Sequence, residues 1–192
     1  MRPISAARTA MRIEASYAMA ELWVFGYGSL MWQPGFDFGE QAPAALIGAH
    51  RSLCIYSFHH RGTQKHPGLV LGLDEGGACR GVAFRVAPDQ RDVTIAYLRQ
   101  REQVTDVYVE AVKPISLLDG SGRELEALCY VVDRGHPQYA GRLSTEAQAQ
   151  LVRSAAGLSG TNIDYVLNTV RHLEQAGIHD AELMALAARL GG

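Results

Sequence analysis

Apolar positions along the chain fall into short dense runs at first and into a helical period later. Leu22-Trp23-Val24-Phe25 is an unbroken apolar run that ends in Gly26-Tyr27-Gly28-Ser29, the pattern of a buried strand entering a tight turn. Further strand-like runs occupy 52–58, 69–73, 81–86, 107–117 and 125–132, several of them enriched in β-branched and aromatic residues. Between the last two, Asp119-Gly120-Ser121-Gly122 is a turn signal that predicts an antiparallel hairpin. Helical periodicity enters at 89–104 and then governs 145–156, 161–176 and 180–190, with Gly157, Gly177 and Gly191 placed as stop signals. A run of strands with one inserted helix, followed by segregated helices, predicts an α+β fold with a curled sheet or small β-barrel and a helical C-terminal third. Alternating βαβ architecture does not fit that order.

Composition narrows the class of partner. The 47% hydrophobic and 20% charged content of the 192 residues is that of a folded globular chain. We expect one domain over 21–192, preceded by an extension over 1–20 that is disordered or partly helical. A formal net charge of -2 provides no basic field to hold a phosphate backbone, so a nucleic-acid partner is not expected and a small molecule is. No apolar run approaches the roughly 18–20 residues of a membrane-crossing helix, and no membrane partner is expected. Cys54, Cys79 and Cys129 are odd in number and widely spaced, without a CxxC pair. They read as reduced, buried thiols in a reducing, cytoplasmic compartment. His59, His60 and His66 cluster in one loop but lack a zinc-ligand frame, so no metal and no cofactor are expected.

Two places carry chemistry. Phe25–Leu30 sets two glycines one residue apart after a strand, which lets the chain bend while exposing consecutive N–H groups able to cradle a carboxylate or phosphate. Met31 stands where GxGxxG needs glycine, no Gly-Lys-Ser/Thr ending follows, and Ser29 lacks the GxSxG setting of a serine hydrolase. A mere strand corner accounts for the same spacing. On the predicted helix, Ile95, Leu98 and Glu102 lie at i, i+3 and i+7, so Glu102 continues an apolar stripe, while Arg99 and Arg101 are expected on a solvated basic face. A carboxylate on an apolar edge near a helix C-terminus favours its protonated form, which suits a general base. An ordinary ion-paired surface glutamate is the alternative.

Trp23-Val24-Phe25-Gly26-Tyr27-Gly28-Ser29-Leu30, taken with Tyr97-Leu98-Arg99-Gln100-Arg101-Glu102, resembles the ChaC family of glutathione-specific γ-glutamylcyclotransferases. Further matches are His60-Arg61-Gly62-Thr63, Pro67-Gly68-Leu69-Val70, His136-Pro137-Gln138-Tyr139-Ala140-Gly141 and Ala155-Ala156-Gly157-Leu158-Ser159-Gly160-Thr161-Asn162. The resemblance runs from Leu22 to Leu190. It implies a small curled β-barrel flanked by helices and a lyase that converts glutathione to 5-oxoproline and Cys-Gly without a cofactor. In it the γ-glutamyl group is bound by Val24, Phe25, Gly26, Tyr27, Gly28, Ser29 and Leu30, and Glu102 is the proton acceptor. Tyr139, which matches a family tyrosine, is a further expected substrate contact. Arg61 is another, with Arg51 as the alternative partner for the glycine carboxylate. Gln64 and Ala140 depart from residues common in relatives, where specificity could be tuned. The same turn and glutamate would serve a cyclotransferase for other γ-glutamyl dipeptides or γ-glutamylamines. A non-catalytic module for small anions would need the turn alone. Oligomeric state leaves no trace in the sequence.

Overall fold

In the computed structural model, which describes residues 21–102 and 105–191, the first apolar run forms β1 (Leu22–Gly26). The longer strands β2 (Glu40–Ser57) and β3 (Gly68–Val86) follow, and then the hairpin β4 (Tyr108–Leu117) and β5 (Glu124–Val132). They close into a barrel in the order β1-β3-β2-β4-β5. Neighbours are antiparallel except where β1 meets β5 in parallel at Val24 and Leu128, the contact that closes the ring. Closure removes the unpaired edges that an open five-stranded sheet would expose.

Helix α1 (Arg91–Glu102) lies between β3 and β4 in sequence. The C-terminal third contributes α2 (Thr145–Ser154), a two-residue hairpin β6 (Ala156–Gly157) and β7 (Gly160–Thr161), α3 (Asn162–Gln175) and α4 (Ala181–Leu190). Ser144, Thr161 and Asp180 cap these three helices, each side-chain oxygen accepting from an N–H of the first turn. The alternation along β1 explains why its whole run is apolar. Trp23 and Phe25 enter the main core with the buried residues of α2, α3 and α4, while Leu22 and Val24 join Leu98 of α1 and Tyr130 of β5 in a second cluster.

The α+β barrel, its hairpin at Asp119–Gly122 and the helical C-terminal third match the sequence reading. Some boundaries do not. The runs at 69–73 and 81–86 belong to one strand, because the intervening Asp74–Arg80 segment, poor in β-formers, is carried along β2 as far as Ala45. Pairing overrides propensity there. β2 begins at Glu40 rather than 52 for the same reason. Pro88–Gln90 forms a 3₁₀ turn, so α1 starts at Arg91 instead of 89; its expected end at Val104 lies outside the described residues, as does the expected extension over 1–20. Gly157 is not a helix stop. A Cβ there would sit 2.4 Å from the carbonyl oxygen of His59, so glycine is required for close approach of the β6 backbone to the 59–60 loop. Gly177 does end α3, its N–H bonding to Glu174 and that of Ile178 to Leu173.

How α3 hangs on the barrel matters for the site. β1 pairs only with Val82–Val86 of β3. Further along β3, the N–H and C=O of Leu69 are taken by the amide of Asn162, at 2.6 and 2.8 Å. Two residues on, those of Leu71 are taken by Tyr165 and Tyr108. A helix rung of three residues thus matches a strand step of two. Asn162 is fully buried, and Asn162→Ala strands a buried donor and acceptor; we expect a loss of about 2–5 kcal/mol in denaturant unfolding.

Cys54, Cys79 and Cys129 are free and buried, and burial raises all three thiols above their ordinary range. Among the described residues no helix is long and apolar enough to cross a membrane.

Candidate active site

The glycine turn leaves β1 and folds at once into a 3₁₀ turn, Ser29–Met31, closed by the Met31 N–H on the Gly28 carbonyl. Gly26 permits this fold-back, since a Cβ there would lie 3.2 Å from Cβ of Leu30 and 3.3 Å from the Met31 nitrogen. Gly28 is buried, yet the N–H groups of Gly28, Ser29 and Leu30 make no hydrogen bond among the described residues. Unpaired buried N–H groups are rare in folded proteins and mark a place built for an acceptor.

Three elements fix this turn. From β2, Arg51 donates through Nε to the Tyr27 carbonyl at 2.5 Å; its other nitrogens reach the Arg80 carbonyl at 2.7 Å and the Asp180 carboxylate at 3.1 Å. From α1, Arg101 donates through Nη2 to Ser29 Oγ at 2.9 Å and through Nη1 to the carbonyls of Gln33 and Pro34 and to Tyr97 Oη. From α3, His172 stacks on Trp32, ring centroids 4.4 Å apart.

A cleft open to solvent lies over the turn and is lined by Tyr27, Gly28, Ser29, Leu30, Leu71, Glu102, Tyr108, Tyr130 and Tyr165. Glu102 reaches it because the stripe of Ile95 and Leu98 packs α1 onto the cluster around Leu22, Val24 and Tyr130, carrying the last described residue of the helix to the rim. Its side chain is 17% exposed. Burial raises the Glu102 carboxyl above its ordinary range, and the Arg101 guanidinium, with Nε 3.3 Å from Oε1, works in the opposite direction. The negative end of the α1 dipole adds to the burial effect.

Of the residues singled out in the sequence, Tyr27, Gly28, Ser29, Leu30 and Glu102 meet at this cleft. Val24 and Phe25 are fully buried on opposite faces of β1, and they and Gly26 shape the turn without lining the cleft. Tyr139 is not in the lining; its hydroxyl donates to Asp74 Oδ2 at 2.9 Å. Burial alone would raise the Asp74 carboxyl, but the hydrogen bonds from Arg134, Tyr139 and the Glu75 N–H hold it below its usual range. Arg61 stands behind the cleft, its guanidinium 5.3 Å from the Tyr165 ring centroid and donating to the Ser159 carbonyl at 2.5 Å. Arg51 is buried among protein acceptors and is not placed to hold a substrate carboxylate. Arg101 is a correction: only 22% of its side chain is exposed, because the turn supplies its acceptors, and it does not share a solvated face. Ser29 Oγ accepts from that guanidinium, which gives it no base for a nucleophilic role. Among the described residues no group of three His, Cys, Asp or Glu is disposed to hold a metal ion; His60 Nδ1 lies 3.0 Å from Ser159 Oγ.

The tyrosines 108, 130 and 165 escaped the sequence reading. Each comes from a different element, and no spacing in the chain relates them to Glu102.

A family model described as ChaC-like protein matches residues 22–191. The chain is 35% identical over 159 residues to the glutathione-specific γ-glutamylcyclotransferase of Escherichia coli (strain K12), across 83% of this chain and 68% of that one. It is 33% identical over 174 residues to glutathione-specific γ-glutamylcyclotransferase 1 of Homo sapiens, across 88% and 78% respectively. A crystal structure of a yeast γ-glutamyl cyclotransferase specific to glutathione superposes with a TM-score of 0.79 over 90% of this chain and 96% of its own, at 22% identity, a likeness of fold. The chain, with its barrel, its glycine turn and the glutamate that faces it, belongs to the ChaC-like family.

Proposed function

We propose that this protein is a γ-glutamylcyclotransferase that cleaves glutathione to 5-oxoproline and Cys-Gly. The observation that carries the reading is the meeting of Glu102, a partly desolvated carboxylate, with unpaired N–H groups of the glycine turn in one cleft. The names of the E. coli and human relatives point to the same substrate.

In the mechanism the carboxylate of Glu102 takes a proton from the α-ammonium of the γ-glutamyl residue. The freed amine nitrogen attacks the γ-carbonyl carbon of the same residue and closes a five-membered ring. The bond to the cysteine nitrogen then breaks as the proton held by Glu102 goes to that nitrogen, and the carboxylate so regenerated takes the second proton from the ring nitrogen, leaving a neutral lactam, and releases it to the departing amine or to solvent. No enzyme nucleophile enters. The gain comes from holding the substrate folded, with the turn's N–H groups gripping a carboxylate or the developing oxyanion. Three buried, reduced cysteines support a cytoplasmic location.

The test is incubation of purified protein with glutathione and detection of 5-oxoproline and Cys-Gly. Stoichiometric appearance of both is the expected result. Release from γ-glutamyl amino acids or amines but not from glutathione would keep the chemistry and overturn the substrate. No release from any of them would leave a binding module.

A further inference from the structure

Four tyrosines line the cleft, and their hydroxyl protons are not equally committed. Tyr108 donates to the Leu71 carbonyl at 2.6 Å, and Tyr130 donates to Glu110 Oε1 at 3.1 Å. Tyr165 differs. Its oxygen accepts the Leu71 N–H at 3.1 Å, and its own proton goes to no acceptor among the described residues. A hydroxyl that accepts along one lone pair must aim its O–H elsewhere. Tyr27, 7% exposed, likewise has a hydroxyl without a partner, but it belongs to the glycine turn already assigned.

Tyr165 is also held more firmly than a mobile wall residue. One helical turn earlier, Asn162 grips both backbone groups of Leu69, so with the Leu71 bond the ring is set by three bonds to two alternate residues of β3. Arg61 covers the ring face, itself tied to the Ser159 and Thr161 carbonyls. The guanidinium and the Leu71 N–H both draw electron density from the phenol and strengthen it as a donor.

We propose that Tyr165 is a catalytic residue of the cyclisation, its hydroxyl donating to the γ-carbonyl oxygen as that oxygen gains charge. This rests on the cyclotransferase reading. As the amine nitrogen bonds to the γ-carbon, the carbonyl π pair moves onto oxygen and is stabilised by the Tyr165 O–H. When the bond to the cysteine nitrogen breaks, the pair returns and the carbonyl reforms. The tyrosine keeps its proton throughout, and Glu102 carries the protons that leave the attacking nitrogen. Burial pushes the Tyr165 hydroxyl up to about 12, with the Leu71 N–H and Arg61 acting against it, so the phenol stays protonated beside a working carboxylate.

Tyr165→Phe tests this with glutathione as substrate. A donor to the transition state predicts a fall in kcat of about 10²–10³-fold with KM changed by no more than a few fold. A raised KM at unchanged kcat would make Tyr165 a ground-state contact and overturn the proposal, as would a kcat within about threefold of the parent. An inactive parent protein would instead sink the cyclotransferase reading, and this one with it. Fluorotyrosines at 165 keep the Leu71 bond and cover the case in which Tyr165→Phe does not fold. Rates that track the acidity of the substituted phenol support a donor; rates indifferent to it overturn one.

Discussion

Glu102→Gln is expected to lower kcat by about 10²–10⁴-fold while the protein stays folded, and at neutral pH as stable as the parent or more so. The rate follows from the loss of the one carboxylate in the cleft lining. The stability follows from burial. Because the folded state raises the Glu102 carboxyl above its unfolded value, folding favours the protonated form. The stabilisation from this group is fully present below the ordinary carboxylate range and is lost as pH rises through the raised value. Glutamine mimics the protonated form, so the parent should match it in acid and fall behind it as pH rises. Arg101 does not lose its place when the charge goes, since Ser29 Oγ, the Gln33 and Pro34 carbonyls and Tyr97 Oη still hold it. The same shift fixes the acid limb of the parent's kcat/KM profile. Activity should grow as Glu102 ionises, with a midpoint above the usual carboxylate range. Thermal melts across pH and a pH–rate profile check both halves. A Glu102→Gln enzyme with unaltered turnover would remove Glu102 from the mechanism.

Arg51→Met should be the most damaging single change to the fold near the site. The ion pair with Asp180 is largely shielded, with Arg51 buried and Asp180 part-buried, their side chains 3% and 16% exposed. Removing one partner of such a pair costs about 3–5 kcal/mol, because the other charge is left in a poorly solvating place. Here the carbonyls of Tyr27 and Arg80 also lose a donor. Against a typical stability of about 5–15 kcal/mol, that is a large fraction. Asp180 has a second task, accepting the Leu183 N–H at the start of α4, so Arg51→Met with Asp180→Asn removes the stranded charge and retains the cap. The double variant should unfold at higher denaturant concentration than Arg51→Met alone. Equal midpoints would mean that Asp180 finds enough solvent to stand unpaired. Since Arg51 anchors the Tyr27 carbonyl, the double variant should also turn over more slowly than the parent even when folded.

Much of the architecture lies in local pattern. The apolar run before Gly26, the hairpin signal at Asp119–Gly122 and the helical period after Thr145 each encode an element that the structure contains, because burial of alternating or stripe-like apolar faces is decided within a few residues. The two places with chemistry, the glycine turn and the apolar stripe ending at Glu102, are local in the same sense. The sequence by itself determined these elements, the reduced state expected of three scattered cysteines, and a resemblance that the family match upholds. It did not determine that β2 and β3 run through weak β-formers, since the ladder between them is formed at separations of up to 45 residues. Nor did it distinguish Arg101 from Arg99: two residues apart on one helix, the first is largely covered by the turn and the second pairs with Glu110 at half exposure. Only the closed barrel decided that Glu102 faces Gly28, that Arg51 is buried beneath Tyr27, and that three tyrosines from β4, β5 and α3 complete the cleft. Each of those contacts joins residues distant in the chain, and a side chain's partners across such distances are set by how elements pack, which no periodicity within one element records.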